Sequence, residues 1–112
     1  MAADLARMRM VIGGKPVDAI SGRTFESENP YTGRSWAVMP DGGQEDVDAA
    51  MAATRSALNG EWGRLTGFAQ AALLRHLDDL IPDHAQELAQ LKVNDSGKLY
   101  REMIGQLNGL EA

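Results

Sequence analysis

The chain has 112 residues, with 11 Lys and Arg against 16 Asp and Glu, which gives a formal net charge of −5. This length predicts one domain at most, and the acidic balance argues against nucleic acid and anionic membranes as partners, since both bind to basic patches. The absence of cysteine excludes a thiolate nucleophile, a disulfide framework and a cysteine-ligated metal within these residues.

The first forty residues predict short strands joined by tight turns. A first strand containing Met8, Met10, Val11 and Ile12 leads into Gly13 and Gly14, a pair typical of a type I′ hairpin turn because both central residues need a positive φ. Lys15–Val17 is predicted to return beside the first strand. A third strand, a turn and a fourth strand follow in chain order: Arg23–Ser27, Asn29–Gly33 and Arg34–Met39.

After Pro40 the period of the apolar pattern changes from two to 3.6 residues, which predicts helices. The first helix is predicted from about Gln44 to Leu58, with an acidic first turn that the partial positive charge of a helix start favours. A loop over Asn59–Gly63 is expected to follow it. The residues predicted to face inward are Val47, Ala50, Met51, Thr54 and Leu58.

The second helix is predicted to begin after Thr66, whose hydroxyl suits an N-cap, and to break or kink at Pro82, which lacks an amide donor. Helical spacing continues over 83–93 and 99–110, with a turn over Asn94–Gly97 between them. The inward stripe of the second helix is expected to contain Phe68, Ala72, Leu73, Leu77, Leu80 and Ile81. Short hairpins followed by three to four helices predict an α+β segment.

The residue types used in catalysis and metal binding are present, but the sequence does not bring them together. His76 and His84 are separated by Pro82, which disturbs the helical register that a metal-binding pair needs. Asp78 and Asp79 are adjacent, so they point to different parts of a helix surface. From the residues alone we expect a protein without a complete catalytic constellation.

No apolar run approaches the roughly 20 residues of a membrane span, and none at the start of the chain has the length of a signal peptide. We therefore expect a cytoplasmic protein whose partners include neither a membrane nor a nucleic acid.

Six short motifs follow one another along the chain: Ile12–Val17, Ser21–Phe25, Asn29–Gly33, Glu45–Ala50, Trp62 and Asp95–Lys98. Each is a weak signal alone, but in this order and at this spacing they resemble the amino-terminal segment of the NAD(P)-dependent aldehyde dehydrogenase family. The resemblance covers roughly residues 10–112.

The resemblance implies an α/β parent fold in which residues 10–112 are an incomplete, amino-terminal part of the cofactor-binding domain, after a flexible terminus over residues 1–9. Members of the family oxidise an aldehyde to a carboxylic acid with NAD or NADP through a cysteine nucleophile, and this chain has no cysteine. The family's catalytic Glu and Asn and its glycine-rich cofactor turn belong to segments beyond this sequence. The resemblance thus implies no catalytic and no cofactor-binding residue here, and a chain that is inactive by itself.

One site of the family can be carried over to this sequence. Many relatives bind a structural monovalent cation through a backbone carbonyl before the Asn-Pro turn and through the Asp that precedes the Gly-Lys pair, which correspond here to Glu28 and Asp95. Oxygen ligands suit a hard cation, and a further ligand of those relatives lies outside this chain. The alternative is that Asp95 only caps a turn through its side chain.

The sequence leaves two functions open. In the first, the chain is a structural segment of an aldehyde-oxidising dehydrogenase, and its partners are the remainder of the parent polypeptide and, by the resemblance, other copies in a homo-oligomer. In the second, it is a free-standing, non-catalytic helical interaction module that has kept the scaffold. Residues 108–112 offer no clear tail or cap to finish a domain, which favours the first.

Overall fold

The computed structural model describes residues 4–109 and contains short strands followed by helices, which confirms the predicted α+β class. The strands are β1 (Ala6–Arg7), β2 (Met10–Ile12), β3 (Lys15–Val17), β4 (Thr24–Asn29) and β5 (Arg34–Pro40). The helices are α1 (Gln44–Asn59), α2 (Glu61–Arg64), α3 (Gly67–Asp83), α4 (Ala85–Ser96) and α5 (Tyr100–Leu107).

The described residues form two compact units. One contains the chain up to residue 27 together with residues 35–65, and the other contains residues 28–34 together with the chain from residue 66 onward.

The β2–β3 hairpin forms as predicted. Its strands are antiparallel, and Gly13 and Gly14 have φ angles of 62° and 76°, the left-handed values that a type I′ turn requires. Pro16 lies opposite Val11 and has no amide to donate. A two-stranded sheet consists only of edge strands, so this missing donor is tolerated.

The three-stranded sheet has the order β1-β5-β4, and it begins earlier in the chain than predicted. β1 runs parallel to β5 with Ala6 opposite Ala37, and the amide of Met8 donates to the carbonyl of Val38 at 2.9 Å. The structure therefore differs at Ala6–Arg7 from the flexible terminus predicted over residues 1–9. A strand of two residues carries no readable periodicity, and the strand that orders it lies far along the sequence.

Helix α1 packs through a face that shares only Ala50, which is half-buried, with the predicted inward stripe. Asp46 is buried and Ala53 is half-buried, whereas Val47 and Met51 of the predicted inward stripe are each 54% exposed. A Cβ added to Gly13 would lie 3.9 Å from the Cβ of Ala53, so the hairpin turn comes close to the helix there. The face that packs within this unit is thus rotated by about a quarter of a turn toward small side chains, which allow the close approach.

A single helical turn, α2, occupies part of the loop predicted over Asn59–Gly63. A Cβ added to Gly63 would overlap the carbonyl oxygen of Leu58 at the end of α1. No side chain fits there, so the close return of the chain onto α1 depends on glycine at this position.

Helix α3 begins and ends close to where the sequence predicts. The hydroxyl of Thr66 accepts a hydrogen bond from the amide of Ala69 at 3.2 Å, which confirms the predicted N-cap. Pro82 lies in the last turn, and the helix ends one residue later at Asp83. The interruption predicted at Pro82 is therefore found where helix α3 gives way to α4.

Helices α4 and α5 pack against each other and bury Ala85, Ala89 and Met103. Helix α4 continues through Ser96, so most of the turn predicted over residues 94–97 is helical. Gly97, with a φ of 70°, ends the helix in the left-handed conformation. The last helix ends at Leu107, three residues before the predicted end at residue 110, and residue 110 itself lies outside the described residues.

Candidate functional site

The two residues predicted to hold a cation lie near the ends of their elements, in the same compact unit. Glu28 is the penultimate residue of β4, and Asp95 is the penultimate residue of α4. Both are exposed. Immediately after Glu28 the chain turns at Asn29, whose side-chain oxygen accepts from the amide of Tyr31 at 2.9 Å.

The two segments lie close together where Gly97 faces the ring of Pro30. A Cβ added to Gly97 would lie only 3.4 Å from the Cβ of Pro30, so the end of α4 is in near contact with the turn that follows β4. Glu28 precedes Pro30 by two residues and Asp95 precedes Gly97 by two. The fold therefore places each predicted ligand two residues from the point where Gly97 and Pro30 approach each other.

The donor set at this approach fits a hard cation only in part. A backbone carbonyl and a carboxylate are oxygen donors of the kind that such ions prefer. Asp95 already has a partner within the chain, and residues 4–109 contain no group of three or more His, Asp or Glu side chains that could hold a metal. The cation site stays a prediction, with two of its donors in this chain.

Both histidines lie at exposed positions. His84 lies 3.7 Å from Glu87, measured from Nδ1 to Oε2, and both side chains are exposed at the start of α4. His76 is an exposed residue of α3. Gly60 and Gly63 follow a helix and not a strand, so these two glycines do not have the strand–turn–helix setting of a dinucleotide fingerprint.

One apolar surface of α3 is a row of leucines that we call the leucine stripe: Leu73, Leu74, Leu77 and Leu80. These side chains are between 39% and 59% exposed. At about 100° per residue they cover an arc of about 120° on one side of the helix. Large exposed apolar surfaces of this kind mark contacts with another polypeptide or a ligand.

Phe68 does not belong to the leucine stripe, although it was predicted to face inward with these leucines. It precedes Leu77 by nine residues, which places the two on opposite sides of α3. Its side chain is 88% exposed and lines a shallow groove with Ala71 and Arg75. The prediction places Phe68 and the leucines in one stripe and leaves out Leu74, whereas the helix carries two separate apolar surfaces.

The buried carboxylate of Asp46 was missed as a structural residue, because the acidic run at the start of α1 reads as a solvated helix end. Asp46 is 5% exposed, and its two oxygens accept from the amides of Ile20 at 3.0 Å and Gly43 at 2.9 Å. The bond to Gly43 is a capping-box contact from the third helical position, a signal that the sequence does contain. The bond to Ile20 ties a distant loop to the helix start and has no local signature.

Within residues 4–109, no helix is long and apolar enough to cross a membrane.

A family model described as the aldehyde dehydrogenase family matches residues 17–110. The chain is 43% identical over 94 residues to aldehyde dehydrogenase family 2 member C4 of Arabidopsis thaliana, covering 83% of this chain and 19% of that protein. It is 42% identical over 102 residues to aldehyde dehydrogenase 1 of Tanacetum cinerariifolium, covering 90% of this chain and 20% of that protein.

Solved structures give the same result. The NAD+ complex of an aldehyde dehydrogenase from Bacillus cereus matches with a TM-score of 0.84 at 43% identity, over 88% of this chain and 20% of that one. An NAD-dependent aldehyde dehydrogenase from Sinorhizobium meliloti matches with a TM-score of 0.87 at 32% identity, over 93% of this chain and 21% of that one. This chain spans about a fifth of the length of the curated relatives it matches. By sequence and by fold, it belongs to the aldehyde dehydrogenase family.

Proposed function

We propose that this chain is the amino-terminal structural segment of an NAD(P)-dependent aldehyde dehydrogenase and forms part of the outer layer of its cofactor-binding domain. The observation that carries the proposal is the leucine stripe, which is exposed in a chain about a fifth as long as its relatives. Burying a leucine side chain stabilises a fold by about 1.5–3 kcal/mol. The remainder of the parent polypeptide is the partner that would cover the stripe.

The reaction proposed for the parent is oxidation of an aldehyde to a carboxylic acid, and this chain alone is proposed to be inactive. Its sequence contains no cysteine to act as the nucleophile. The matching Bacillus cereus structure is an NAD+ complex, which supports NAD as the parent's cofactor. When bound, nicotinamide accepts a hydride from the substrate, and the role of this chain is to support the domain that holds it.

The proposal includes a monovalent cation held in part by the carbonyl of Glu28 and the carboxylate of Asp95. The near contact between Gly97 and Pro30 supports it, because it holds the two donor segments together. The cation would supply positive charge between two backbone segments and so fix the end of α4 against the turn after β4.

A homo-oligomeric parent and a cytoplasmic location complete the proposal. The first follows from the family, and the second is an expectation supported by the described residues, in which no helix could span a membrane.

The test is the intact mass and reading frame of the source protein, followed by an aldehyde-dependent NADH absorbance assay on the length that is found. A longer polypeptide with aldehyde-dependent turnover is the expected result. A genuine 112-residue product that melts cooperatively, stays monodisperse and shows no turnover would overturn the proposal in favour of a free-standing interaction module.

The cation is tested separately by titrating sodium or potassium against the melting temperature of the source protein. The expected result is a rise in melting temperature that Asp95→Ala removes and that Asp78→Ala, a change at an exposed acid of α3, leaves in place. An equal response of the parent and Asp95→Ala would remove the cation from the proposal and leave Asp95 as a turn cap.

A further inference from the structure

The face of α3 that lies opposite the leucine stripe has a self-complementary pattern. Phe68, Ala71, Ala72 and Arg75 occupy an arc of about 100° that is centred on the side of the helix away from the stripe. Three of the four line one shallow groove on the surface of the helix. We call these four residues the Phe68 face.

The spacing of the Phe68 face is symmetric about its centre. Phe68 and Arg75 lie at equal distances on either side of the midpoint between Ala71 and Ala72. If a second α3 runs antiparallel about a two-fold axis through that midpoint, Phe68 of each copy meets Arg75 of the other. The two alanines meet at the axis, where small side chains let helices approach closely. A two-fold axis makes both ring–guanidinium contacts at once.

The charges of α3 are also complementary in an antiparallel pair. Its carboxyl-terminal part carries Asp78, Asp79 and Asp83, and its last turn has no basic residue. Negatively charged side chains at this end lie beside the partial negative charge of the helix carboxyl terminus, which is unfavourable. The first turn has no acidic residue, so its positive end is uncompensated. Antiparallel pairing places the acids of each copy near the amino terminus of the other.

We propose that two copies of this chain pair through the Phe68 face of α3, antiparallel and about a two-fold axis between Ala71 and Ala72. This surface is on the opposite side of the helix from the leucine stripe, so the proposal does not rest on the proposed function. A contact between single helix faces buries less than the roughly 1,200 Å² of a standard interface, which predicts a weak dimer.

The first experiment is sedimentation equilibrium of the full chain at concentrations up to about 1 mM. We expect a monomer–dimer equilibrium whose dissociation constant rises about tenfold or more in Phe68→Ser. Tyr31→Ser is the matched control, because Tyr31 is 89% exposed and belongs to the same compact unit. Circular dichroism verifies that Phe68→Ser keeps its helices, which we expect since the ring is 88% exposed.

A mixture of two variants tests the predicted contact directly. Phe68→Ser and Arg75→Glu each abolish both ring–guanidinium contacts in their own homodimers. One intact contact returns when they pair with each other, so the mixture should dimerise more tightly than either variant alone.

The register is tested with cysteines introduced into a chain that has none. Ala71→Cys and Ala72→Cys should each form disulfide-linked homodimers faster than their mixture forms heterodimers, because the two-fold axis sets each position beside its own copy, whereas Ala71 and Ala72 lie about 100° apart around the helix. Leu77→Cys on the leucine stripe is the control and should cross-link slowly. The proposal is overturned by a chain that stays monomeric up to about 1 mM, or by association that depends on Leu77 and not on Phe68.

Discussion

Helices α1 and α3 are both amphipathic in sequence, and both expose large apolar side chains, but only α1 buries a residue within its own unit. Asp46 of α1 is buried, whereas none of the described residues of α3 is. Apolar periodicity thus identifies the apolar face of a helix, but it does not identify which part of the protein packs against that face. In α1 the small-residue face packs internally, and in α3 the leucine stripe is left for a partner. This difference predicts that substitutions around α1 destabilise the isolated chain more than substitutions on the stripe.

The largest effect is expected at Gly63, where the chain returns onto the end of α1. Gly63→Ala places a Cβ against the Leu58 carbonyl oxygen and should lower the free energy of unfolding by about 3 kcal/mol, because backbone must move to make room. Gly67→Ala is the matched control, since a Cβ there meets no atom within 4 Å. Urea denaturation followed by circular dichroism measures both. Equal stabilities for the two variants would contradict the close approach.

A smaller loss is expected at the buried carboxylate of α1. Asp46→Ala leaves the amides of Ile20 and Gly43 without their acceptor and should lower the free energy of unfolding by about 2 kcal/mol. Asp46→Asn keeps one side-chain oxygen and should lose less. Asp48→Ala in the same helix removes only an exposed contact with Gln44, so a change within about 0.5 kcal/mol is expected. An Asp46→Ala chain as stable as Asp48→Ala would show that the two bonds do not stabilise the unit.

The start of α3 should show an effect of about 1 kcal/mol, typical of an N-cap. Thr66→Ala removes the acceptor of the Ala69 amide, whereas Thr66→Ser retains a hydroxyl and should behave like the parent chain. Thermal melting followed at the helical band compares the two. A Thr66→Ser chain that melts with Thr66→Ala, well below the parent, would contradict the capping role.

The smallest effect on the isolated chain is expected on the leucine stripe. Leu77→Ser should change the free energy of unfolding by less than about 0.5 kcal/mol, because Leu77 is 54% exposed. It should also reduce binding of a hydrophobic dye. Ala89→Ser in the buried contact of α4 serves as the comparison and should destabilise the chain. A Leu77→Ser loss as large as that of Ala89→Ser would mean that the stripe is already packed within the chain.

Local chemistry made the turns and caps predictable. The Gly13-Gly14 hairpin, the Thr66 cap and the interruption at Pro82 each depend on the conformational or hydrogen-bonding properties of one or two residues. The six motifs also indicate the family from the sequence alone, without information on tertiary contacts. The two donor segments of the predicted cation site lie in near contact through Gly97 and Pro30, which the spacing alone could not have placed.

Features that depend on distant parts of the chain could not be predicted in the same way. Strand β1 is ordered by β5, and Asp46 is buried because the loop at Ile20 lies over it. The inward face of α1 is set by the hairpin and not by its own apolar pattern. Phe68 was grouped with the leucines although the helical period places it opposite Leu77.

The most direct test of the central claim, that the leucine stripe is a contact surface for the rest of a longer enzyme, is hydroxyl-radical footprinting of α3 in two settings. One is the 112-residue chain at low concentration. The other is the same chain grafted in place of the matching segment of the Bacillus cereus enzyme, to which it is 43% identical. We predict that labelling of Leu73, Leu77 and Leu80 falls several-fold in the graft. Equal labelling of the stripe in both settings, in a graft that folds, would contradict the account.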